Sequence, residues 1–339
     1  MSFTLRRLVL LLVVVCTMAS CSGPTPSDPQ SESTSAHQSV TITHVFGETT
    51  ITKRPQRVVT LGWYSQDVVA ALGVVPVGVE DFTWGTVKEY LPWFKDKVSE
   101  LGGELPELLR HNDAGDYDYE QILALEPDVI LALHSGISET EYQRLTEIAP
   151  TIAYTGIPWT SKREQLTLDI GRVLGEEQQA QQLLDDSEVA IAEAAKQHPE
   201  FKDVVFTYGW NLPEGATQFD LYLQADPRVQ LLEDLGFVSS PAVVQAAAGA
   251  EEFVTSFSLE ELGQVESQFH VGWGDVPEDI TRTLGNPLVS RWTPISSGSY
   301  FFFVEDHSLA WASTAPSVLS IPATVGSLAD QLATGYKKR

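Results

Sequence analysis

A set of aromatic residues and one arginine stand where the chain leaves short β-rich runs. Trp63 and Tyr64 follow Val58-Val59-Thr60-Leu61-Gly62, and Tyr208 and Trp210 sit in or just after Val205-Phe206-Thr207-Tyr208. Trp84, Trp159 in Ile157-Pro158-Trp159-Thr160, and Trp273 complete the rings; Arg291 precedes Trp292-Thr293-Pro294-Ile295. Indole and phenol faces stack on flat or apolar ligands and attract cations, and a guanidinium grips anionic oxygens. Core packing is the competing use for the rings, and a surface ion pair for the arginine. The signatures of catalysis are missing. There is no GxxxxGK[ST], GxGxxG, HExxH or GxSxG pattern. The seven histidines (37, 44, 111, 134, 198, 270 and 307) lack metal-cage spacing, so no metal bound directly by the protein is expected. His134 in His134-Ser135-Gly136 reads as structural. The expected activity is binding rather than turnover, with an exported α/β hydrolase, its triad assembled from distant residues, as the alternative of another class.

The N-terminus sets the compartment. Arg6 and Arg7 precede the apolar run 8–15 (LVLLLVVV), which is too short to span a bilayer and reads as a signal peptide over 1–20. Met18-Ala19-Ser20-Cys21 resembles a bacterial lipobox with Met18 at the usual leucine position. A lipid on Cys21 is the one covalent addition expected, giving a lipid-anchored protein on the extracytoplasmic face of the cell membrane. Cys16 and Cys21 are the 2 cysteines of the chain, so the body holds no disulfide and no cysteine-ligated metal. Residues 22–39 are rich in Ser, Pro and Thr and read as a flexible tether. The chain has 21 Lys and Arg against 46 Asp and Glu, a net charge of −25. That excludes the basic footprint of a nucleic-acid binder.

The elements that must position the rings are βα units. Residues 40–51 alternate around a glycine turn and predict a hairpin. Strands are expected at 58–61, 74–79, 129–133 and 151–154, with helices at 66–72, 119–125 and 141–148. Two helices follow, 161–174 and 176–196. In the second, Ala180, Leu183, Leu184, Ser187, Ile191 and Ala194 form one apolar stripe about 30 Å long at 1.5 Å per residue. Beyond it the pattern restarts. Val58-Val59-Thr60-Leu61-Gly62-Trp63 aligns with Val205-Phe206-Thr207-Tyr208-Gly209-Trp210, Leu72-Gly73 with Leu235-Gly236, and 119–131 with 259–271. This predicts an α/β protein of two similar lobes with mostly parallel sheets, joined by the long helix. The expected division is an N-terminal lobe over 40–160, connecting helices over 161–198 and a C-terminal lobe over 199–339. A ligand would sit between the lobes, at the strand C-termini.

Several segments carry a family resemblance. Pro55-Gln56-Arg57-Val58-Val59, Ala71-Leu72-Gly73-Val74-Val75-Pro76-Val77-Gly78 and Asp118-Tyr119-Glu120-Gln121-Ile122-Leu123-Ala124-Leu125-Glu126-Pro127-Asp128-Val129-Ile130 match motifs of periplasmic-binding-protein type 2 domains. So does Ile148-Ala149-Pro150-Thr151-Ile152. The chain resembles the iron-siderophore-binding lipoproteins of ABC importers, of the iron-dicitrate type. That resemblance implies the class III periplasmic-binding-protein fold, lobes that move little, and no catalysis. It implies a ferric siderophore, Fe(III) in an organic chelate, as bound ligand, with haem or a corrinoid as the alternative cargo. It also implies an ABC permease and its ATPase as partners, docked through one glutamate per lobe, here Glu120 and Glu260. A monomer is expected. Among the loop cations Lys88, Arg110, Arg228, Arg282 and Arg291, Arg291 is the expected ligand contact. So acidic a protein with so few loop cations suits a neutral or cationic hydroxamate, or a mixed siderophore, better than a tris-catecholate.

Overall fold

The computed structural model describes residues 38–111 and 116–336. The signal peptide, Cys21 and nearly all of the tether lie outside the described residues. The hairpin forms as expected, β1 (Val40–His44) against β2 (Gly47–Ile51). The first sheet holds β3 (Val58–Gly62), β4 (Gly78–Glu80), β5 (Glu107–Leu109), β6 (Val129–His134) and β7 (Thr151–Ala153). Its order is β5-β4-β3-β6-β7 and every pairing is parallel. Every residue of β3 and β6 is buried, which is why their sequences run as unbroken apolar stretches rather than alternating. The helices between them are α1 (Ser65–Ala71), α2 (Pro92–Glu100), α3 (Tyr119–Ala124) and α4 (Glu139–Thr146).

Most boundaries fall within two residues of expectation, and two of the differences have a clear cause. The strand expected over 74–79 begins only at Gly78. Val74 N still bonds Val69 O at the end of α1, and Pro76 has no N–H to give a ladder. Helix α4 starts earlier than 141 because Ser138 caps it, its side chain accepting from Glu141 N while Glu141 takes Ser138 N.

Next come α5 (Arg163–Leu174) and α6 (Glu177–Gln197). The stripe on α6 divides between two cores. Ala180 and Leu184 pack with Val58, Val129 and Leu131 of the first sheet. Ile191 and Ala194 pack with Phe206, Phe269 and Val271 of the second. Burying each Leu or Ile contributes roughly 1.5–3 kcal/mol, so both lobes hold the same helix.

The second half contains β8 (Val205–Tyr208), β9 (Gln218–Tyr222), α7 (Pro227–Asp234), β10 (Val238–Ser239), α8 (Pro241–Ala247) and β11 (Val254–Ser258). It continues with β12 (Phe269–Trp273), α9 (Pro277–Gly285), α10 (Thr293–Ser297), β13 (Tyr300–Phe303), α11 (His307–Thr314) and α12 (Ser320–Gly335). The parallel sheet runs β10-β8-β12-β13, with β9 and β11 forming an antiparallel pair beside it. The expected repeat has a topological basis: β4-β3-β6-β7 and β10-β8-β12-β13 share one order. One stretch crosses over. Ala312, Ala315 and Val318 pack into first-lobe cores, and Ser317 Oγ donates to Asp67 Oδ2 of α1 at 2.6 Å.

Candidate ligand-binding site

Two sharp backbone turns set the first-lobe side. Strand β3 ends on Gly62, at φ 75°, where a Cβ would overlap His134 O. Gly62 N donates to Glu80 Oε1 at 2.7 Å and Trp63 N to His134 O at 2.9 Å. Tyr64 then takes φ 46°, left-handed and costly for an L-residue with a bulky side chain. Both neighbouring rings contact His134 but differ in burial. Trp63 stays half-buried, while Tyr64 is 1% exposed, stacks on His134 at 4.5 Å and donates from its hydroxyl to Ser161 O at 2.9 Å. Trp159 has φ 63°, and its indole lies over Gly136, where any side chain would overlap Nε1. Non-glycine strain of this kind collects at functional sites.

From these turns a run of rings crosses the molecule. Trp159 meets Trp63 at 4.6 Å between centroids, and Trp63 meets Trp311 edge-on at 5.3 Å. Trp311 also contacts Phe82 at 5.2 Å and Trp84 at 5.9 Å. Trp84 meets Trp273 at 5.3 Å, Trp273 meets Trp210 at 6.1 Å, and Trp210 meets Tyr222 at 5.4 Å. These are ordinary aromatic pair distances. The six tryptophans of the run are all half-buried, whereas Trp93 and Trp292 are core. Polar handles fix two of them: Trp84 Nε1 donates to Asp275 Oδ1 at 2.6 Å and Trp273 Nε1 to the Tyr222 hydroxyl at 2.9 Å. Trp311 Nε1 is buried and has no hydrogen-bond acceptor among the described residues.

A single buried cation lies against this run. Arg228, in the first turn of α7, sets its guanidinium 3.7 Å from the Tyr222 ring centroid. It bonds Asp226 in a fork, Nε to Oδ1 at 2.8 Å and Nη2 to Oδ2 at 3.0 Å. Burial lifts Asp226 above the ordinary carboxylate range and Arg228 only partly offsets it. Burial works against the Arg228 charge too, but the Asp226 carboxylate outweighs it and the guanidinium stays ionised. His134, behind the Trp63 turn, is driven down to about 3 by burial with Arg228 adding to it, so it is neutral. A separate hollow of about 550 Å³ between Tyr90, Arg110 and Gln121 carries none of these tryptophans.

Residues 58–240, more than half of the chain, match the family model described as periplasmic binding protein. The chain belongs to that family. The Fe(3+) dicitrate-binding periplasmic protein FecB of Escherichia coli is 30% identical over 66% of this chain and 67% of its own length. Among solved structures, Streptococcus pneumoniae PiaA in complex with ferrichrome superposes at a TM-score of 0.80, 29% identical, over 87% of this chain and 98% of that one. A periplasmic solute-binding protein of Mycobacterium smegmatis gives 0.70 and 26%, over 88% and 98%. The family and these relatives are solute-binding proteins, the two solved structures share the α/β fold of this chain, and no described helix is long and apolar enough to cross a membrane.

Within this periplasmic binding protein the expected residues separate. Trp63, Trp84, Trp159, Trp210 and Trp273 come together in one run. Tyr64 and Tyr208 lie behind it, Tyr64 stacked on His134 and Tyr208 edge-on to Tyr222 at 5.5 Å. Both are 1% exposed, and the Tyr208 hydroxyl bonds Ser313 Oγ at 3.0 Å, so neither offers a face to a ligand. Arg291 lies apart from the run. It is exposed beside Trp292, whose Nε1 donates to Val265 O ahead of β12, whereas Trp273 ends that strand. Sequence reasoning passed over Trp311 and Asp275, and the buried Phe82 and Tyr222 that back the run, and it ranked Arg228 below Arg291. Glu120 is exposed in the first turn of α3, which enters β6. Glu260 is exposed in the turn that leads to β12, its N–H donating to Ser258 Oγ at 3.3 Å. The two therefore precede topologically equivalent strands.

Proposed function

We propose that this chain is a monomeric, lipid-anchored binding protein that captures a ferric siderophore on the tryptophan run and hands it to an ABC permease. The observation that carries the ligand reading is the run itself, six indoles in series from one lobe to the other beside one carboxylate-paired arginine. The named ligands of its relatives, ferric dicitrate and ferrichrome, are ferric chelates. The charge at the site narrows the class. Arg228 is neutralised by Asp226, and Asp275 adds a negative charge at Trp84. A ferric tris-catecholate carries a large negative charge and needs several uncompensated cations. A ferric trihydroxamate is neutral and presents apolar edges that stack on indole. Trp63, Trp84, Trp159, Trp210, Trp273 and Trp311 are its proposed contacts. Glu120 and Glu260 would dock the permease, and Cys21 would carry the lipid.

Intrinsic tryptophan fluorescence is the direct test, with ferric trihydroxamate, ferric citrate, ferric tris-catecholate and haem titrated separately. Saturable quenching by the trihydroxamate at sub-micromolar concentration, and not by its iron-free form, is expected. Tight binding of the tris-catecholate without the trihydroxamate would overturn the ligand class, and quenching by haem alone with a Soret shift would overturn the siderophore reading.

A further inference from the structure

Trp84 belongs to the first lobe by sequence but rests on the second. It sits at the tip of a small hairpin in which Trp84 N and Val87 N bond each other's carbonyl oxygens at 3.2 and 2.9 Å. Its ring packs against the second-lobe core and meets Trp273, His307 and Trp311 at 5.3, 4.4 and 5.9 Å. The tip is seated closely. Gly85, at φ 54°, lies against the His307 ring, where a Cβ would overlap it, and Thr86 Oγ1 accepts His307 N at 3.1 Å. The polar anchor is Asp275, whose carboxylate takes the Trp84 indole N–H at 2.6 Å. Asp275 is itself held from behind. Its N–H and that of Val276 bond Asp279 Oδ2 at 3.1 and 3.2 Å, and Gly274 N donates to Phe303 O at 3.0 Å. Arg282 locks Asp279 in turn at 2.6 Å.

We infer that Asp275 is a positioning residue. It fixes the Trp84 ring across the lobe junction, so that one unbroken aromatic wall faces the ligand. The inference rests on the ligand reading above. A charge-assisted bond of this length holds the indole plane against rotation about χ1 and χ2. Without it the ring samples other rotamers, and the wall is broken between Trp311 and Trp273. An amide in place of the carboxylate still accepts the indole N–H.

The test combines affinity with the indole resonance of Trp84, assigned through Trp84→Phe. In Asp275→Ala the resonance shifts without any ligand, and affinity for ferrichrome, a ferric trihydroxamate, falls about tenfold, or about 1.4 kcal/mol. Asp275→Asn keeps the resonance near its original position and recovers affinity to within about threefold. In a double-mutant cycle Asp275→Ala with Trp84→Phe loses no more than Trp84→Phe alone. An unmoved resonance in Asp275→Ala, unchanged ferrichrome affinity, or strictly additive losses would each overturn the inference. If the unaltered protein fails to bind ferrichrome, the ligand reading fails, and the ligand-free resonance still decides whether Asp275 holds Trp84.

Discussion

Replacing Asp67 by asparagine should stabilise the protein at neutral pH and leave it unchanged in acid. Asp67 is 1% exposed in α1. Its carboxylate accepts from Trp93 Nε1 at 2.7 Å, Ser317 Oγ at 2.6 Å and Gln66 Nε2 at 3.1 Å, all neutral donors. Burial outweighs these bonds and pushes Asp67 up to about 6, from 3.8. The folded state therefore binds this proton more tightly than the unfolded chain. Asp67 contributes most to stability below pH ~4, and that contribution is lost as pH rises through ~6. A difference of about 2 units corresponds to about 3 kcal/mol, an upper bound for one group. The variant amide avoids this cost. Its oxygen can take Trp93 and Ser317, and Gln66 can flip so that Oε1, now buried without a donor, accepts the new N–H. Urea unfolding of Asp67→Asn should show a gain of about 1–3 kcal/mol at pH 7.5 that disappears near pH 4. A loss of more than about 1 kcal/mol at pH 7.5, or a gap independent of pH, refutes the argument. The outcome bears on the site, because Ser317 ends the crossing segment that carries Trp311 onto the first lobe.

Burial drives His134 and His270 each down to about 3, so the unfolded chain takes up protons below pH 6.5 that the folded one refuses. Stability should fall by up to about 2.7 kcal/mol per pH unit between 6 and 4, read by urea midpoints, and a flat profile would contradict it. This is why the Asp67 effect must be measured as a difference between variants. Reversing charge at Glu120 and Glu260 together should abolish transport in cells while ligand affinity stays unchanged; a matching loss of affinity would move these residues from docking to binding. Trp63→Ala or Trp159→Ala should weaken ferric-chelate binding by about 10- to 100-fold in fluorescence titration. Arg291→Ala and Tyr208→Phe should leave affinity where it was, and a tenfold loss in Arg291→Ala would reinstate the sequence-based choice.

What the sequence made legible was local or repeated. Unbroken apolar runs marked β3 and β6 because both faces of a parallel strand are covered. The three-and-four spacing on α6 marked a single buried stripe, and the repeat foretold the shared strand order. What it hid depended on direction and on long-range crossing. Trp63 and Tyr64 are adjacent and equally suited to a ligand; only the left-handed turn at Tyr64 decides which faces out. Tyr208 ends a strand and points into the core, while Trp210, two residues on, does not. Trp311 lies in His307–Thr314, which reads as an ordinary core helix. It reaches the site because the chain leaves β13 and crosses to the first lobe. Arg228 and Arg291 look alike in sequence, but one lies against Tyr222 and the other beside Trp292, whose indole bonds the chain ahead of β12.

Several side chains of the site are held by the protein itself, by backbone turns or by hydrogen bonds. Backbone turns that no alternative rotamer relieves hold Trp63 and Trp159. Asp275 holds Trp84, the Tyr222 hydroxyl holds Trp273, and the Asp226 fork holds Arg228. Immobilising a large side chain on binding ordinarily costs about 0.5–1.5 kcal/mol. Here that cost falls on folding instead, where it is offset by burial of two cores sharing one helix. The lobes are tied at α6, at the Trp84 hairpin and at Ser317, and each tie opposes closure on a guest. Affinity must then come from the fit of a rigid chelate to a rigid wall, which favours cargo that is itself inflexible, as a hexadentate ferric complex is.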